Sequence, residues 1–262
     1  MCDMRSALRR VLRIAFPRLM HARALSHRWW SELEEDLLPA VVPACRCAVD
    51  VGAHVGSYSM ALSRLSSRVL AFEPDEEMFS LLRRAAPANV TVYNYALSNA
   101  SGVRQFRVPV EGDTPIVTLG SLANVAGPSV VREVMTRVLD NWMGMDIGFI
   151  KIDVEGHEVE VLAGGRQLLE RHRPVVLAEA NDPDAVARLE EFFKPMGYVG
   201  FFVIDGATHS MEDFGPSLQD RAELERPVPR RSMRFVNNFF FAPADEVAAL
   251  RLRVAAKLSA LR

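Results

Sequence analysis

Residues 47–57, Cys47-Ala48-Val49-Asp50-Val51-Gly52-Ala53-His54-Val55-Gly56-Ser57, leave this chain few folds to choose from. An apolar run ends in an acid, and two glycines follow within a tight span. Apolar residues then recur at helical spacing at Tyr58, Ala61, Leu62 and Leu65, so the segment reads as strand, turn and helix. A second apolar run, Val69-Leu70-Ala71-Phe72, ends in Glu73, 23 residues after Asp50. In open α/β sheets, ligands bind beyond the carboxyl ends of the strands, and an acid at that spacing accepts hydrogen bonds from ribose hydroxyls. Gly52 and Gly56 let the backbone turn and approach a ligand closely. The pattern is D-x-G-x-x-x-G, without the glycine pair that brings a pyrophosphate close. A nucleoside without phosphates fits better, and S-adenosylmethionine (SAM) is the obvious one. The bland alternative is a turn whose glycines serve geometry alone.

The chain has 262 residues, 49% of them hydrophobic, enough for one large α/β domain or two small ones. A net charge of −2 argues against a general nucleic-acid binder. The three cysteines, Cys2, Cys45 and Cys47, form no spaced framework, so a reducing compartment is expected. No apolar run is long enough to span a membrane. The first 28 residues carry seven arginines and one acid, Asp3, with an apolar stripe at Leu8, Val11, Leu12, Ala15 and Leu19 that Pro17 interrupts. Two readings stay open for this stripe: a helix on a membrane surface, or one packed on the domain or on a second copy of the chain.

Residues 1–40 read as a helical extension, and 41–262 as one domain. From Cys45 onward strands and helices alternate, which predicts a mostly parallel sheet with helices on both faces. Expected strands cover 90–97, 103–108, 147–153 and 174–179. Tyr198–Ile204 and Asn238–Ala242 are expected to pair antiparallel at the end of the sheet. Helices are expected from Pro74 to Pro87, over 130–137, 158–170 and 184–193, and from Pro243 onward. Residues 111–129 and 205–234 read as loops. The second is long enough to be functional, as a substrate loop or lid.

Four expected strands end in acids, Asp50, Glu73, Asp153 and Glu179, which points to one shared site. Asn94-Tyr95-Ala96-Leu97-Ser98, at the end of the third strand, is expected to border the adenine. In Ile150-Lys151-Ile152-Asp153-Val154-Glu155-Gly156-His157-Glu158, a backbone extended to Gly156 would put Asp153, Glu155 and His157 on one face. An imidazole there can take a hydroxyl proton near neutral pH, so His157 is the expected base, with Asp153 orienting it or the substrate. Glu155 reads instead as a helix-capping acid. Asp153 with Glu179 and Asn181 offers oxygen ligands for a hard cation such as Mg²⁺, the alternative means of acidifying a hydroxyl.

The strings Val49-Asp50-Val51-Gly52-Ala53-His54-Val55-Gly56-Ser57-Tyr58, Ala71-Phe72-Glu73-Pro74, Asn94-Tyr95-Ala96-Leu97-Ser98 and Ile150–Glu158 resemble FkbM-type SAM-dependent methyltransferases. Leu139-Asp140, Leu162-Ala163-Gly164-Gly165 and Leu177-Ala178-Glu179 fit the same pattern, and the resemblance spans residues 45–182. It implies a class I methyltransferase fold and O-methylation of a hydroxyl on a sugar, glycolipid, polysaccharide precursor or polyketide. It also implies that Asp50, Gly52, Gly56 and Glu73 hold SAM, within a contact set that takes in His54, Ser57, Pro74, Asn94 and Ala96, with Asp153 near the methyl group. A NAD(P)-dependent oxidoreductase and a non-catalytic nucleoside-binding module are the competing classes. The missing G-x-G-x-x-G argues against the first, and the intact strand-end acids argue against the second. The expected acceptor is a small molecule or a glycan- or lipid-linked hydroxyl, not nucleic acid. Asp205, His209, Glu212, Asp213 and Arg221 are suited to its hydroxyls, and Arg230, Arg231 and Arg234 to a phosphate or anionic surface. The expected location is cytoplasmic, with the basic N-terminus at the inner face of a membrane.

Overall fold

The computed structural model of the chain describes residues 32–44, 46–111, 114–116, 119–123, 127–226 and 234–261. Three apolar runs form its centre: β1 (Cys47–Val51), β8 (Ile147–Ile152) and β9 (Val175–Glu179), buried at every position. Continuous burial is the mark of parallel strands covered on both faces. With β2 (Arg68–Phe72) and β3 (Val90–Tyr93) they form the parallel part of an eight-stranded sheet. Beyond β9 the sheet turns antiparallel through β12 (Asn238–Pro243), β10 (Tyr198–Ile204) and β11 (Ala207–Ser210). The strand order is β11-β10-β12-β9-β8-β1-β2-β3. From β1 the chain winds outward through β2 and β3, then returns to the other side of β1 as β8. The β1–β8 boundary is therefore the switch point where such sheets bind ligands.

Alternation along the strands divides the core in two. Val49, Val51, Ile150, Ile152, Val176 and Ala178 face one way. They pack with α4 (Glu158–Ala163), α5 (Arg166–His172) and α6 (Pro183–Phe193). Ala48, Phe149, Leu177 and Phe240 face the other way, toward α1 (Leu33–Val41), α2 (Ser57–Leu62) and α7 (Val247–Ala260). By the same alternation Asp50, Lys151, Glu179 and Asn238 share this second face at neighbouring strand ends. α3 (Glu76–Ala85) is N-capped by Asp75, which accepts from the amides of Glu77 and Met78.

The expected helix at 130–137 is a strand, β7 (Ser129–Arg137), which pairs antiparallel along β5 (Gly102–Glu111). Val130, Val131, Val134 and Thr136 are β-branched and favour the pleated form. The expected strand at 90–97 is split: β3 stays in the large sheet, whereas the short β4 (Ala96–Leu97) pairs with β7 and, with β6 (Thr114–Pro115) inside the expected loop at 111–129, completes a four-stranded sheet. The expected helix at 158–170 is broken into α4 and α5. A Cβ on Gly164 would stand 2.1 Å from the Ser98 carbonyl oxygen, so the chain passes β4 only as glycine. The start of the expected loop at 205–234 is a hairpin. Asp205 (φ 52°) and Gly206 (φ 70°) make the two-residue turn between β10 and β11, an Asp-Gly signal of that geometry. Three 3₁₀ turns follow between Met211 and Glu225. The last helix starts at Val247, not at Pro243.

Residues 1–31, with their arginines and apolar stripe, lie outside the described residues, as do Arg230 and Arg231. Among the described residues no helix is long and apolar enough to cross a membrane. The end of the expected extension is α1, whose Leu37, Leu38 and Val41 are buried with Leu250, Val254 and Leu258 of α7. Leu38→Ala is expected to cost about 2–5 kcal/mol in denaturant unfolding, the usual range for emptying a packed leucine site. A cost below about 1 kcal/mol would detach α1 from the core.

Candidate active site

A cavity of 640 Å³ opens at the switch point, lined by residues of the β1 turn, the ends of β2, β8 and β9, and the segment 119–122. Its position follows from how the β1 turn is built. The amides of Gly52 and Ala53 donate to the Phe72 carbonyl at 3.0 Å, tying the turn to β2. Gly52 has φ 78°, and a Cβ there would lie 1.8 Å from the Asp153 carbonyl oxygen. Gly56 has φ 88°, and its Cβ would lie 2.3 Å from a Leu82 methyl. The expected reason for these glycines, close approach of a ligand, is therefore joined by an internal one: they admit β8's end and α3.

Glu73 is buried, and each of its oxygens takes one backbone N–H at 2.7 Å, from His54 and from Asp75. Burial pushes its carboxyl up to about 7, against those two amides, which lower it. Each oxygen keeps a second lone pair, so the carboxylate can still accept a ribose hydroxyl. Asp50 is 2% exposed and accepts from Ser59 Oγ at 2.5 Å. Burial raises it to about 6, opposed by Ser59 and by the Lys151 charge. Pro74, Tyr95, Ala96, Leu97 and Phe106 provide an apolar wall beside Glu73. A carboxylate beside an apolar slot and a glycine turn fits a nucleoside, so these residues fit SAM.

His54, Ser57, Pro74, Ala96, Asp153 and His157 all line the cavity, but Asn94 does not. Asn94 Nδ2 donates to the Glu73 and Pro74 carbonyls at 3.0 and 3.1 Å, which anchors β3's end rather than bordering the base. Asp153, Glu155 and His157 do not share a strand face. β8 ends at Ile152, and Glu155 (φ 54°) and Gly156 (φ 94°) form a left-handed turn. Glu158, not Glu155, caps that turn, accepting from the amides of Val154 (3.3 Å) and Gly156 (3.0 Å). His157 Nε2 lies 2.9 Å from Ser98 Oγ, and Nδ1 3.6 Å from Glu160. Burial lowers its pKa, partly offset by Glu160, which favours the neutral ring.

The oxygen ligands offered for a cation are otherwise engaged. Asn181 Oδ1 and Glu179 Oε1 both accept from Asn237 Nδ2, and Asn181 Nδ2 turns to Glu155 at 3.3 Å. Among the described residues no group of three His, Cys, Asp or Glu is placed to hold a metal ion. The positive charge here is Lys151, 3.6 Å from Asp153 Oδ2. In the sequence Lys151 stands out only as part of the Ile150–Glu158 motif. Its place was legible, since strand alternation from Asp153 puts Lys151 on the same face. Glu32 and Glu35, which no sequence motif marks, and Tyr58, expected only on a helix face and in the resemblance string, line the cavity beside it. Tyr58 donates to Glu32 at 2.8 Å, and Ser57 donates to Glu35. Ser121 was missed too: its hydroxyl bridges the carbonyls of Val154 (3.0 Å) and Glu155 (2.8 Å), closing segment 119–122 over the turn.

The polar residues of 205–225 do not reach this cavity. Asp205 pairs with Arg234 at 3.0 Å, Asp213 caps the turn at Ser210, and His209 stacks on Phe202. A separate cavity of 170 Å³, lined in part by Glu32, Asp205, Arg234 and Asn238, lies beside the first.

A sheet with this switch point, an acid on each of its first two strands and a nucleoside-sized cavity over them defines an α/β protein of the class I methyltransferase fold. Residues 50–199 match the model of the methyltransferase FkbM domain, and the chain belongs to that family. It is 29% identical over 150 residues to the hexuronic acid methyltransferase AglP of Haloferax volcanii, covering 53% of this chain and 59% of the relative. The chain thus spans less than two thirds of that relative's length. Among solved structures it is similar to the methyltransferase FkbM of Methylobacillus flagellatus KT (19% identity, TM-score 0.48, 75% of this chain and 43% of that one). It is also similar to SMU.1697c of Streptococcus mutans, a putative methyltransferase in complex with SAH (12% identity, TM-score 0.40, 80% and 94%).

The raised carboxyls fix the sign of a pH effect. Asp50 and Glu73 bind protons more tightly folded than unfolded, so their stabilising contribution is complete near pH 4 and is lost as pH rises through about 6 and 7. The ligand-free protein should therefore melt at a lower temperature at pH 8 than at pH 5. Asp50→Asn should flatten that slope. An equal slope in that variant, followed by calorimetric melting, would contradict the burial of a titrating Asp50. Gly52→Ala should unfold more readily than the native chain in the same assay, because its Cβ meets the Asp153 carbonyl.

Proposed function

We propose that this methyltransferase carries a methyl group from SAM to a hydroxyl of a sugar, free or in a glycolipid or polysaccharide precursor. The observation that carries the reading is the placement of Asp50, Glu73 and Asp153 around one cavity at the switch point. SAM supplies an activated methyl; the chain's residues hold the donor, orient the acceptor and take its proton. Glu73 receives the ribose hydroxyls, and Ala96 and Leu97 flank the base. The β1 turn and Asp50 meet the amino-acid end, directly or through water. The acceptor half is the part of the cavity lined by Glu32, Glu35, Tyr58 and Asp153, which offer the hydroxyl-binding groups that a sugar needs. The similarity to a hexuronic acid methyltransferase supports a sugar acceptor. Holding the acceptor oxygen in line with the methyl can supply on the order of 7–11 kcal/mol of the barrier. Residues 1–31 remain proposed as the part that brings a lipid-linked acceptor to the site.

Proton removal falls to Asp153 in this reading. His157 has its two nitrogens directed at Ser98 and Glu160, which suits it to hold α4 against β4. Asp153 has a third of its side chain exposed and lines the cavity. His157→Ala should then lower stability more than turnover, whereas Asp153→Asn should lose turnover and keep SAM. Glu73→Ala should weaken SAM binding by at least about tenfold, since charge-assisted hydrogen bonds contribute roughly 1.5–3 kcal/mol each. With Glu73 ionising near 7, affinity should also fall as pH drops from 8 to 6. Calorimetry with SAM reads both effects, and wild-type affinity in Glu73→Ala would overturn the assignment. Labelled SAM, incubated with methyl hexosides, methyl hexuronosides, protein and RNA, tests the acceptor. Transfer to protein or RNA alone would exclude a sugar.

A further inference from the structure

Lys151 is 1% exposed, on a central strand, in a chain with only three lysines. A buried ammonium is costly unless opposite charges hold it. Here the holders are visible. Asp153 Oδ2 is 3.6 Å away, Asn238 Oδ1 accepts at 3.3 Å, and the Tyr58 ring lies beneath at 5.1 Å. Burial would lower the lysine's pKa, but Asp153, Glu179, Glu32 and Asp50 raise it more, so it stays charged and cannot itself be a base.

The reciprocal effect concerns Asp153. Its titratable neighbours come from the elements around it: Asp50 on β1, Glu179 on β9, Glu158 on α4 and His54 in the β1 turn. Asp50 and Glu158 disfavour a further negative charge at Asp153, and burial pushes His54 toward its neutral form; Glu179, its carboxyl raised well up by burial and by Asp153, shares a side-chain hydrogen bond with Asp153. The Lys151 ammonium opposes them at contact distance.

We propose that Lys151 is the positioning residue of the transfer, its ammonium keeping Asp153 as the anion that takes the acceptor's proton. This rests on the methyltransferase reading above. In the step, the acceptor O–H bond breaks and its proton passes to the Asp153 carboxylate. The electron pair left on oxygen forms the O–CH₃ bond, and the pair of the methyl–sulfur bond stays on sulfur. Asn238 and Tyr58 fix where the ammonium sits, and Asn238 Nδ2 in turn donates to Glu32 at 3.2 Å, which ties the lysine to the acceptor wall.

The test follows the Asp153 carboxyl itself, in the full chain without acceptor. Aspartate labelled with ¹³C at the carboxyl gives a resonance assigned by its loss in Asp153→Asn. In Lys151→Met its titration midpoint should move up by about 1–3 pH units, the usual effect of removing a neighbouring cation. Lys151→Arg should bring it back toward the native value. Asn238→Ala, which keeps the charge but loosens its hold, should shift it the same way by less, and carries the test if Lys151→Met does not fold. On the glycosides of the acceptor panel, the acid limb of kcat/KM in Lys151→Met should rise with the midpoint, while KM for SAM changes little. An unmoved midpoint in Lys151→Met, or in Asn238→Ala where only that variant folds, overturns the inference. A shifted midpoint with no glycoside methylated upholds it and refutes the sugar reading instead.

Discussion

The contact between Gly52 and the Asp153 carbonyl is the constraint from which the site follows. The chain leaves β1 and the end of β8 at the same place, and no side chain fits between them. Because the two backbones meet there, the Asp153 amide continues the ladder by donating to Val51 at 3.0 Å. Asp153 is thereby set beside the turn that carries His54. The turn's other tie, to the Phe72 carbonyl, brings Glu73 within reach of the His54 amide. Two backbone contacts of that turn thus bring Glu73 and Asp153 to the same cavity.

The electrostatics of that cavity are those of a desolvated carboxylate cluster balanced by one deeply buried cation. Burial pushes the Asp50 and Glu73 carboxyls up to about 6 and 7, and hydroxyl donors or a positive ligand would favour their ionised forms. Glu179 is pushed well up by burial and by Asp153. Lys151 is what makes several acids tolerable at neighbouring strand ends. A divalent ion would solve the same problem, but the Glu179 and Asn181 oxygens that would bind it accept from the Asn237 amide, and Asp153 faces Lys151.

Strands with unbroken apolar runs and helices with clear punctuation were readable, because burial on both faces or an amphipathic stripe leaves a local mark. The antiparallel pairing of Tyr198–Ile204 with Asn238–Ala242 was readable for the same reason. The helix expected over 130–137 is strand β7, since its valines and charges fit either period and only β5 alongside decides. The Asp205-Gly206 turn carried a local signal that a polar neighbourhood obscured. The break at Gly164 had none, because the carbonyl that forbids a side chain there belongs to Ser98, far away in sequence. Placing His157 with Asp153 failed on a single left-handed residue, Glu155, which an acid seldom signals.

By itself the amino-acid sequence determined the fold class, the succession of strands and helices along the chain and the acids at the strand ends. Those depend on periodicity, glycine spacing and chain order, which are local or nearly so. Only the tertiary structure decided which of those groups face one another. It brought Glu32 from before α1 to Tyr58 and Asn238, spent Asn94 on backbone carbonyls, and turned His157 toward Ser98. It also placed one ammonium among the acids. A side chain's partners are set by strand order and by the layers above the sheet, over separations of up to some two hundred residues, and no short-range pattern records them.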